Sequence, residues 1–267
     1  MSQVQISAGQ VKELRDRTGA GMMAAKRALE ETGGDIEAAQ RLLREQGMAA
    51  AGKKAGRATT EGKVLSTISG NIGVLVAIGC ETEPVSNTEE FLAFAKKVLE
   101  AVERDGPGAE EQLDEERQEL SGKLGENIVV VGGTRFEAVD GATIDGYAHP
   151  PANKLGVLLQ VRGGANGLAR KVAMHIAASA PRWIGREDVP EEMIAAERDI
   201  YANSDEVQSK PEQAREKIVE GMLNKRFFGA NVLVDQEWIH DSSKKVGDAL
   251  TDEGAEVLEF ERFELSA

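Results

Sequence analysis

The chain has 267 residues, long enough to bury a sizeable core as one large or two modest domains, and carries 32 Lys and Arg against 46 Asp and Glu. The resulting net charge of −14 repels phosphate backbones and anionic membranes, so a protein partner or a small ligand is favoured over nucleic acid. The single cysteine excludes an internal disulfide, and Met1 to Gln5 has neither the basic segment nor the apolar run of a secretion signal; no stretch approaches a membrane span. A soluble, cytoplasmic protein is expected.

Ser7-Ala8-Gly9-Gln10 has the form of a capping box and opens a short helix through Val11, Leu14 and Arg15. Thr18-Gly19-Ala20-Gly21 breaks it, and Met22 to Glu31 resumes helical composition. After Gly33-Gly34, Asp35 caps a third helix with Ile36, Ala39, Leu42 and Leu43 on one face, expected to close at Gly47. These helices predict a small N-terminal domain over 1–48. The stretch 49–62, rich in alanine, glycine and lysine without apolar periodicity, predicts a linker.

From Lys63 the pattern becomes strand-like. Val64, Leu65 and Ile68 precede a turn at Ser69-Gly70-Asn71, and Ile72 to Ile78 is an uncharged, β-branched run, which together predict a hairpin. Past Cys80 comes Glu81-Thr82-Glu83-Pro84-Val85-Ser86-Asn87, where Pro84 biases Glu83 towards an extended conformation and the chain has to turn. Thr88 then caps a helix whose apolar face is Phe91, Phe94, Ala95, Val98 and Val102. A loop at 105–108, an acidic helix from Glu110 to Leu124 and a strand over Ile128 to Val131 follow.

Strand and helix then recur. Leu155-Gly156-Val157-Leu158-Leu159 echoes Ile72-Gly73-Val74-Leu75-Val76, and Leu168-Ala169-Arg170-Lys171-Val172 echoes Phe94-Ala95-Lys96-Lys97-Val98. The duplication predicts two related α+β lobes, over 63–145 and 146–267, the first with a longer elbow between strand and helix. Within the second lobe, Asp188-Val189-Pro190 starts a helix. Met193 to Ala202 and Pro211 to Phe227, with stripes of Met193, Ala196 and Ile200 against Ile218, Met222 and Leu223, predict an antiparallel helical hairpin over about 188–227. Val257 to Phe263 alternates like a half-exposed strand.

Chemical signatures are sparse. Gly19-Ala20-Gly21-Met22-Met23-Ala24 fits a dinucleotide-binding glycine pattern, but a charged helix precedes it where that motif needs a strand. Gly163 to Gly167 sits between strand and helix and could cup a phosphate, or simply connect. His149, His175 and His240 lack partners at metal-ligand spacing, and His175, within an apolar helix, reads as a core histidine or a functional one. Cys80 reads as a small core residue. Glu81 and Glu83 could form an acid–base pair or a solvated surface.

Leu14 to Leu29 closely resembles the N-terminal signature of the elongation factor Ts family. The likeness continues through Gly34-Asp35-Ile36, Cys80-Glu81-Thr82, Gly125-Glu126-Asn127, Met174 to Ala178, Lys217 to Gly221 and Lys244-Lys245-Val246-Gly247. This resemblance implies a ubiquitin-associated-like three-helix domain, a two-lobed α+β core with internal duplication and an inserted antiparallel coiled-coil hairpin. It implies a guanine nucleotide exchange factor that binds elongation factor Tu carrying GDP, displaces its magnesium ion and promotes GDP release, with no covalent catalysis, no cofactor and no direct contact with nucleic acid or membrane. Carried over residue by residue, Met22, Met23 and Lys26 match N-terminal contacts to the GTPase, one methionine competing with a bundle-core role, and Leu155, Gly156 and His175 match second-lobe contacts. Glu83, Pro84, Val85, Ser86 and Asn87 match the magnesium-dislocating elbow. Family members usually carry Thr-Asp-Phe-Val there, whereas this chain has Thr82-Glu83-Pro84-Val85. Burying a Phe is worth about 1.5–3 kcal/mol, so its absence weakens the wedge or demands a reshaped partner pocket. A non-exchanging protein that stabilises the same GTPase is the alternative, and a dinucleotide enzyme the third reading.

Overall fold

The structure is a computed structural model and describes residues 6–266. Three helices come first: α1 (Ala8–Thr18), α2 (Met22–Glu31) and α3 (Ile36–Lys54). The Ser7 side chain accepts the Gln10 backbone N–H while Gln10 answers through the Ser7 N–H, the reciprocal box expected there. Val11, Leu14, Ala25, Ala28, Leu29 and Ala39 form the bundle core. One expectation fails: α3 does not stop at Gly47 but continues to Lys54, taking up the first residues of the predicted linker. Gly in a helix interior costs about 1 kcal/mol relative to Ala. The close approach of a second helix depends on its own glycine: a Cβ built on Gly122 would stand 2.7 Å from the Gly47 Cα, whereas one on Gly47 would meet the Gly122 Cα at an ordinary 3.7 Å.

The core consists of two three-stranded antiparallel sheets. In the first, β2 (Ile72–Cys80) lies between β1 (Glu61–Ser69) and β3 (Val129–Glu137); in the second, β5 (Leu155–Arg162) lies between β4 (Ala142–Ala148) and β6 (Glu256–Glu264). After β2 come a single turn α4 (Glu83–Ser86), the long α5 (Glu89–Asp105) and α6 (Asp114–Leu124), which ends at left-handed Gly125. After β5 comes α7 (Leu168–Ser179). The duplication read in the sequence is therefore a duplication of architecture, a central strand feeding a helix that covers its sheet.

The two sheets pack face to face, with α5 and α7 on the outside. On β2, Val74, Val76 and Ile78 face the cluster built with Phe91, Phe94 and Val98 of α5, while Leu75 and Ala77 join Leu158 of β5 in the core between the sheets. On β5, Val157, Leu159 and Val161 face Val172 and Ile176 of α7. Each central strand is thus buried on both faces, which is why neither shows polar alternation in sequence. The echoing glycines complete the fit: a Cβ on Gly73 would lie 3.1 Å from Leu158 Cδ1, and one on Gly156 would lie 3.2 Å from Leu75 Cδ1. Each lobe's glycine receives the other lobe's leucine.

Beyond α7 the chain forms the hairpin of α8 (Glu191–Ala202) and α10 (Glu212–Met222), joined through a turn containing α9 (Asp205–Gln208). Its second arm continues as a π-turn over Leu223–Phe228, a short α11 (Gly229–Asn231) follows, and α12 (Val246–Asp252) precedes β6. Of the expected stripe, Met193 on the first arm and Ile218, Met222 and Leu223 on the second pack together, but Ala196 and Ile200 are exposed, and Ile194 and Tyr201 take their place against Val207 and Val219. Tyr201 supplies a larger apolar body than Ile200 on the neighbouring face, and Arg198 pairs with Glu220 across the arms at 2.9 Å. No helix among the described residues is long and apolar enough to cross a membrane.

Candidate functional site

The elbow between β2 and α5 is built as an anchored projection. Glu83 opens the α4 turn rather than continuing extended. Thr82 is the extended residue, with φ −132° and ψ 149°, and Pro84 occupies the first helical turn, where a missing N–H costs no hydrogen bond. The Glu83 carbonyl accepts from Ser86 Oγ at 2.7 Å and from Asn87 Nδ2 at 3.0 Å, closing the turn on itself. Val85 packs on the α5 side of the core and Ser86 is buried, so these two, with the Glu81–Thr82 backbone where the chain leaves β2, form the root; Glu83, Pro84 and Asn87 are exposed, as is the Thr82 side chain. Pro84 is the apolar tip.

Two carboxylates hold the root in a crossed arrangement. Glu126, just beyond α6, accepts the backbone N–H groups of Glu81 and Thr82, both at 3.0 Å, and the Thr82 hydroxyl at 2.5 Å. In return Glu81 accepts the Asn127 N–H at 2.7 Å and pairs with Arg57 at 3.3 Å. The Asn127 backbone N–H, with help from the Arg57 guanidinium, holds the Glu81 carboxyl below its ordinary pKa. Asn127 Nδ2 in turn donates to the Arg57 carbonyl at 2.9 Å. Glu81 is therefore engaged at the root while Glu83 stands exposed at the tip, an arrangement that serves structure and leaves no shared proton site. Cys80 is a core residue: its thiol donates to the Thr82 carbonyl at 3.3 Å, and burial together with nearby Glu126 pushes its pKa up to about 11. A thiol so raised is not a nucleophile at neutral pH.

On the three-helix bundle, Met22 and Met23 are 61% and 64% exposed, which settles the choice between bundle core and surface for both. They open α2 behind the extended Gly21, and Lys26, one turn on, lies 3.7 Å from Glu30. The two thioethers and the ammonium form a small amphipathic patch. The glycine pattern at 19–24 joins two helices, with Gly19 as a left-handed cap, and so lacks the strand a dinucleotide site needs. Gly163 is a spacer in a connecting loop, since a Cβ there would meet the Gly254 carbonyl at 2.3 Å.

The second-lobe residues lie deeper. Leu155 is partly buried against the α7 cluster and Gly156 is enclosed between the sheets. His175 has no exposed surface and sits at the centre of a polar network. Its Nδ1 accepts the Ile239 N–H at 3.4 Å, which assigns the proton to Nε2, 2.9 Å from Gln236 Oε1. Gln236 Nε2 then donates to the carbonyls of Ala230 at 2.8 Å and Ser179 at 3.1 Å. Burial lowers the His175 pKa, and the ring packs on Trp238 with centroids 5.3 Å apart. This neutral imidazole fastens the segment 236–239 to α7 and leaves Ile239 and Met174 partly exposed beside it.

The residues that sequence reasoning left without a role are Arg57, Glu126 and Asn127. Gly125-Glu126-Asn127 stood out as a motif, but only the fold brings it against Glu81, because the intervening α5 and α6 return the chain to the end of β2.

Fold and site together define a two-lobed α+β protein bearing an N-terminal three-helix bundle and an exposed elbow between β2 and α5 that is hydrogen-bonded at its base. A family model described as elongation factor TS matches residues 81–267. The chain is 39% identical over 272 residues to elongation factor Ts of Psychromonas ingrahamii, covering 98% of this chain and 91% of that protein. It is 41% identical to elongation factor Ts of Pasteurella multocida over 98% of this chain and 92% of the relative, and 42% identical to that of Actinobacillus succinogenes over 98% and 91%. The chain belongs to the elongation factor Ts family.

Proposed function

We propose that this chain is a guanine nucleotide exchange factor for elongation factor Tu, acting in the cytoplasm without a cofactor, and that the elbow is the part that displaces magnesium and promotes GDP release. The observation that carries the reading is the anchored elbow: an exposed Glu83–Pro84 tip on a root held by Glu126, Glu81 and buried Ser86. A wedge has to keep its shape against the partner, and crossed hydrogen bonds at its base supply that stiffness. Exchange then needs no bond making. A surface that fits the nucleotide-free GTPase better than the loaded one weakens nucleotide binding by the same free energy with which nucleotide weakens its own. A thousandfold acceleration of release corresponds to about 4 kcal/mol of such preference at the barrier.

Met22, Met23 and Lys26 would supply the second contact, adaptable thioethers beside a cation. In the second lobe, Leu155 would contribute its exposed edge, while Gly156 and His175 would act through what they position, since both are enclosed. The excess of acidic residues supports a protein partner over nucleic acid. The test is stopped-flow release of fluorescent GDP from a bacterial elongation factor Tu. Pro84→Gly and Glu83→Ala should each slow the stimulated rate while the chain stays folded; unchanged rates for both would remove the elbow from the mechanism. Pro84 in the usual place of an aromatic favours one second reading, a partner-stabilising protein that binds the GTPase without speeding release. Binding by pull-down with an unaccelerated release rate would select it.

A further inference from the structure

The three-helix bundle does not hang from the core. Midway along α3, Gly47 meets Gly122 of α6 backbone to backbone, and a Cβ on Gly122 would stand 2.7–2.8 Å from the Gly47 Cα, carbonyl carbon and carbonyl oxygen. One turn earlier, Arg44 reaches both Glu115 and Glu119 on α6. Two turns later, Lys54 Nζ lies 3.4 Å from the Ser121 carbonyl. Beside this crossing the bundle and first lobe enclose a cleft of about 630 Å³, which includes Ala20, Gly21 and Ala24 on one side and Ala93, Phe94 and Lys123 on the other.

The contacts continue into the elbow. Ser121 Oγ donates to the Glu126 carbonyl at 2.5 Å, and the Glu126 carboxylate holds the Glu81 and Thr82 N–H groups. Arg57, three residues past the end of α3, pairs with Glu81. A single helix, α6, therefore touches the bundle along one side and the elbow root at its end.

We propose that the α3–α6 crossing is a latch, with Gly122 and Arg44 as positioning residues, which locks the bundle onto the first lobe and fixes the Met22–Met23 patch relative to the Pro84 tip. The two exposed contacts then meet the partner as one preorganised surface, and neither has to be ordered during binding. Loss of the latch would leave the tip intact but require the bundle to be immobilised at each encounter. The half-saturating concentration should rise while the maximal rate stays. This inference rests on the exchange reading for its kinetic consequence, though its geometric half stands apart from it.

Gly122→Ala is the informative variant. Ala favours helix over Gly, so α6 itself gains in intrinsic propensity and only the close approach to α3 suffers. Gly52→Ala, on the same α3 but in open space, is the control. Nitroxide labels on Lys12→Cys and Lys96→Cys, both exposed, report the bundle-to-lobe distance by pulsed electron resonance, with buried Cys80 left unlabelled. Gly122→Ala should shift or broaden that distance distribution and raise the half-saturating concentration in GDP release about tenfold, about 1.4 kcal/mol, with the maximal rate within about twofold of the parent. Gly52→Ala should match the parent in both. An unchanged distance distribution overturns the latch, and a changed distribution with an unchanged half-saturating concentration overturns its role in positioning; so does a fall in the maximal rate alone. If Gly122→Ala does not fold by circular dichroism, Arg44→Glu takes its place. Its distance and kinetic changes should be reversed by Glu115→Arg with Glu119→Arg, and failure of that reversal also overturns the latch. Should the parent itself leave GDP release unaccelerated, the exchange reading falls while the label distances still decide the latch.

Discussion

Glu126 offers the most direct test of whether stiffness at the elbow root matters. Replacement by alanine removes three accepted hydrogen bonds, from the Glu81 N–H, the Thr82 N–H and the Thr82 hydroxyl. Thr82 is exposed and Glu81 partly so, which lets water reach the released donors. The loss is then the net worth of the bonds rather than a full desolvation penalty, about 0.5–1.5 kcal/mol each. Because the three share one carboxylate and are not independent, about 2 kcal/mol is a reasonable sum, equivalent to about a thirtyfold smaller preference for the anchored elbow. Glu126→Gln keeps one carbonyl acceptor and should fall between. The assay is stopped-flow release of fluorescent GDP from a bacterial elongation factor Tu at saturating concentrations of the chain, with thermal unfolding in parallel. Glu126→Ala should lower the maximal stimulated rate by up to about thirtyfold, and Glu126→Gln by less, with the melting temperature falling by about 4–8 °C at most, as hydrogen bonds worth about 2 kcal/mol leave the native state. A maximal rate equal to the parent's in Glu126→Ala would refute the reasoning that the anchored root is what makes the tip effective.

Gly156→Ala separates spacing from surface contact: its Cβ would crowd Val64 and Leu75, so overpacking should destabilise the chain by about 1–3 kcal/mol in urea unfolding, with Val64→Ala in the same chain recovering part of the loss. A fully stable single variant would show that the sheets are not in close contact there. His175 predicts a pH dependence: burial lowers its pKa in the folded chain, so the stabilisation from the neutral imidazole is complete above the unfolded value near 6.5 and is lost as pH falls through the folded value. Unfolding free energy should therefore decline below about pH 6.5, more steeply in the parent than in His175→Gln; parallel profiles would remove His175 as the source.

Much of the fold was legible because local signals agreed. The Ser7 box, the Thr88 cap and the apolar face from Phe91 to Val102 each specify a helix without help from elsewhere, and the turn at Gly70 fixes the hairpin of β1 and β2. The repeat of Gly73 in Gly156 disclosed two lobes. What it left open was the use of those glycines, since a small residue in a strand looks the same whether it faces a partner or a neighbouring sheet. The same ambiguity applied to Gly47, read as a helix end because Gly commonly ends helices, when α3 in fact runs through it and packs its backbone against Gly122. β4 escaped notice because Ala142 to Ala148 mixes Thr, Asp and Gly with few β-branched apolar residues, and its strand character comes from pairing with β5.

For the candidate site, the chain order alone set the exposed pieces: a proline-stiffened turn after an uncharged strand, and a methionine pair at the start of a helix. Only tertiary contact decided which parts of that turn are root and which are tip, because Glu126, Asn127 and Arg57 reach Glu81 and Thr82 from 24 to 46 positions away. It likewise decided that His175 is a neutral internal fastener and that the bundle is docked, since burial and helix crossings depend on the spatial neighbours a residue acquires, which no local pattern encodes.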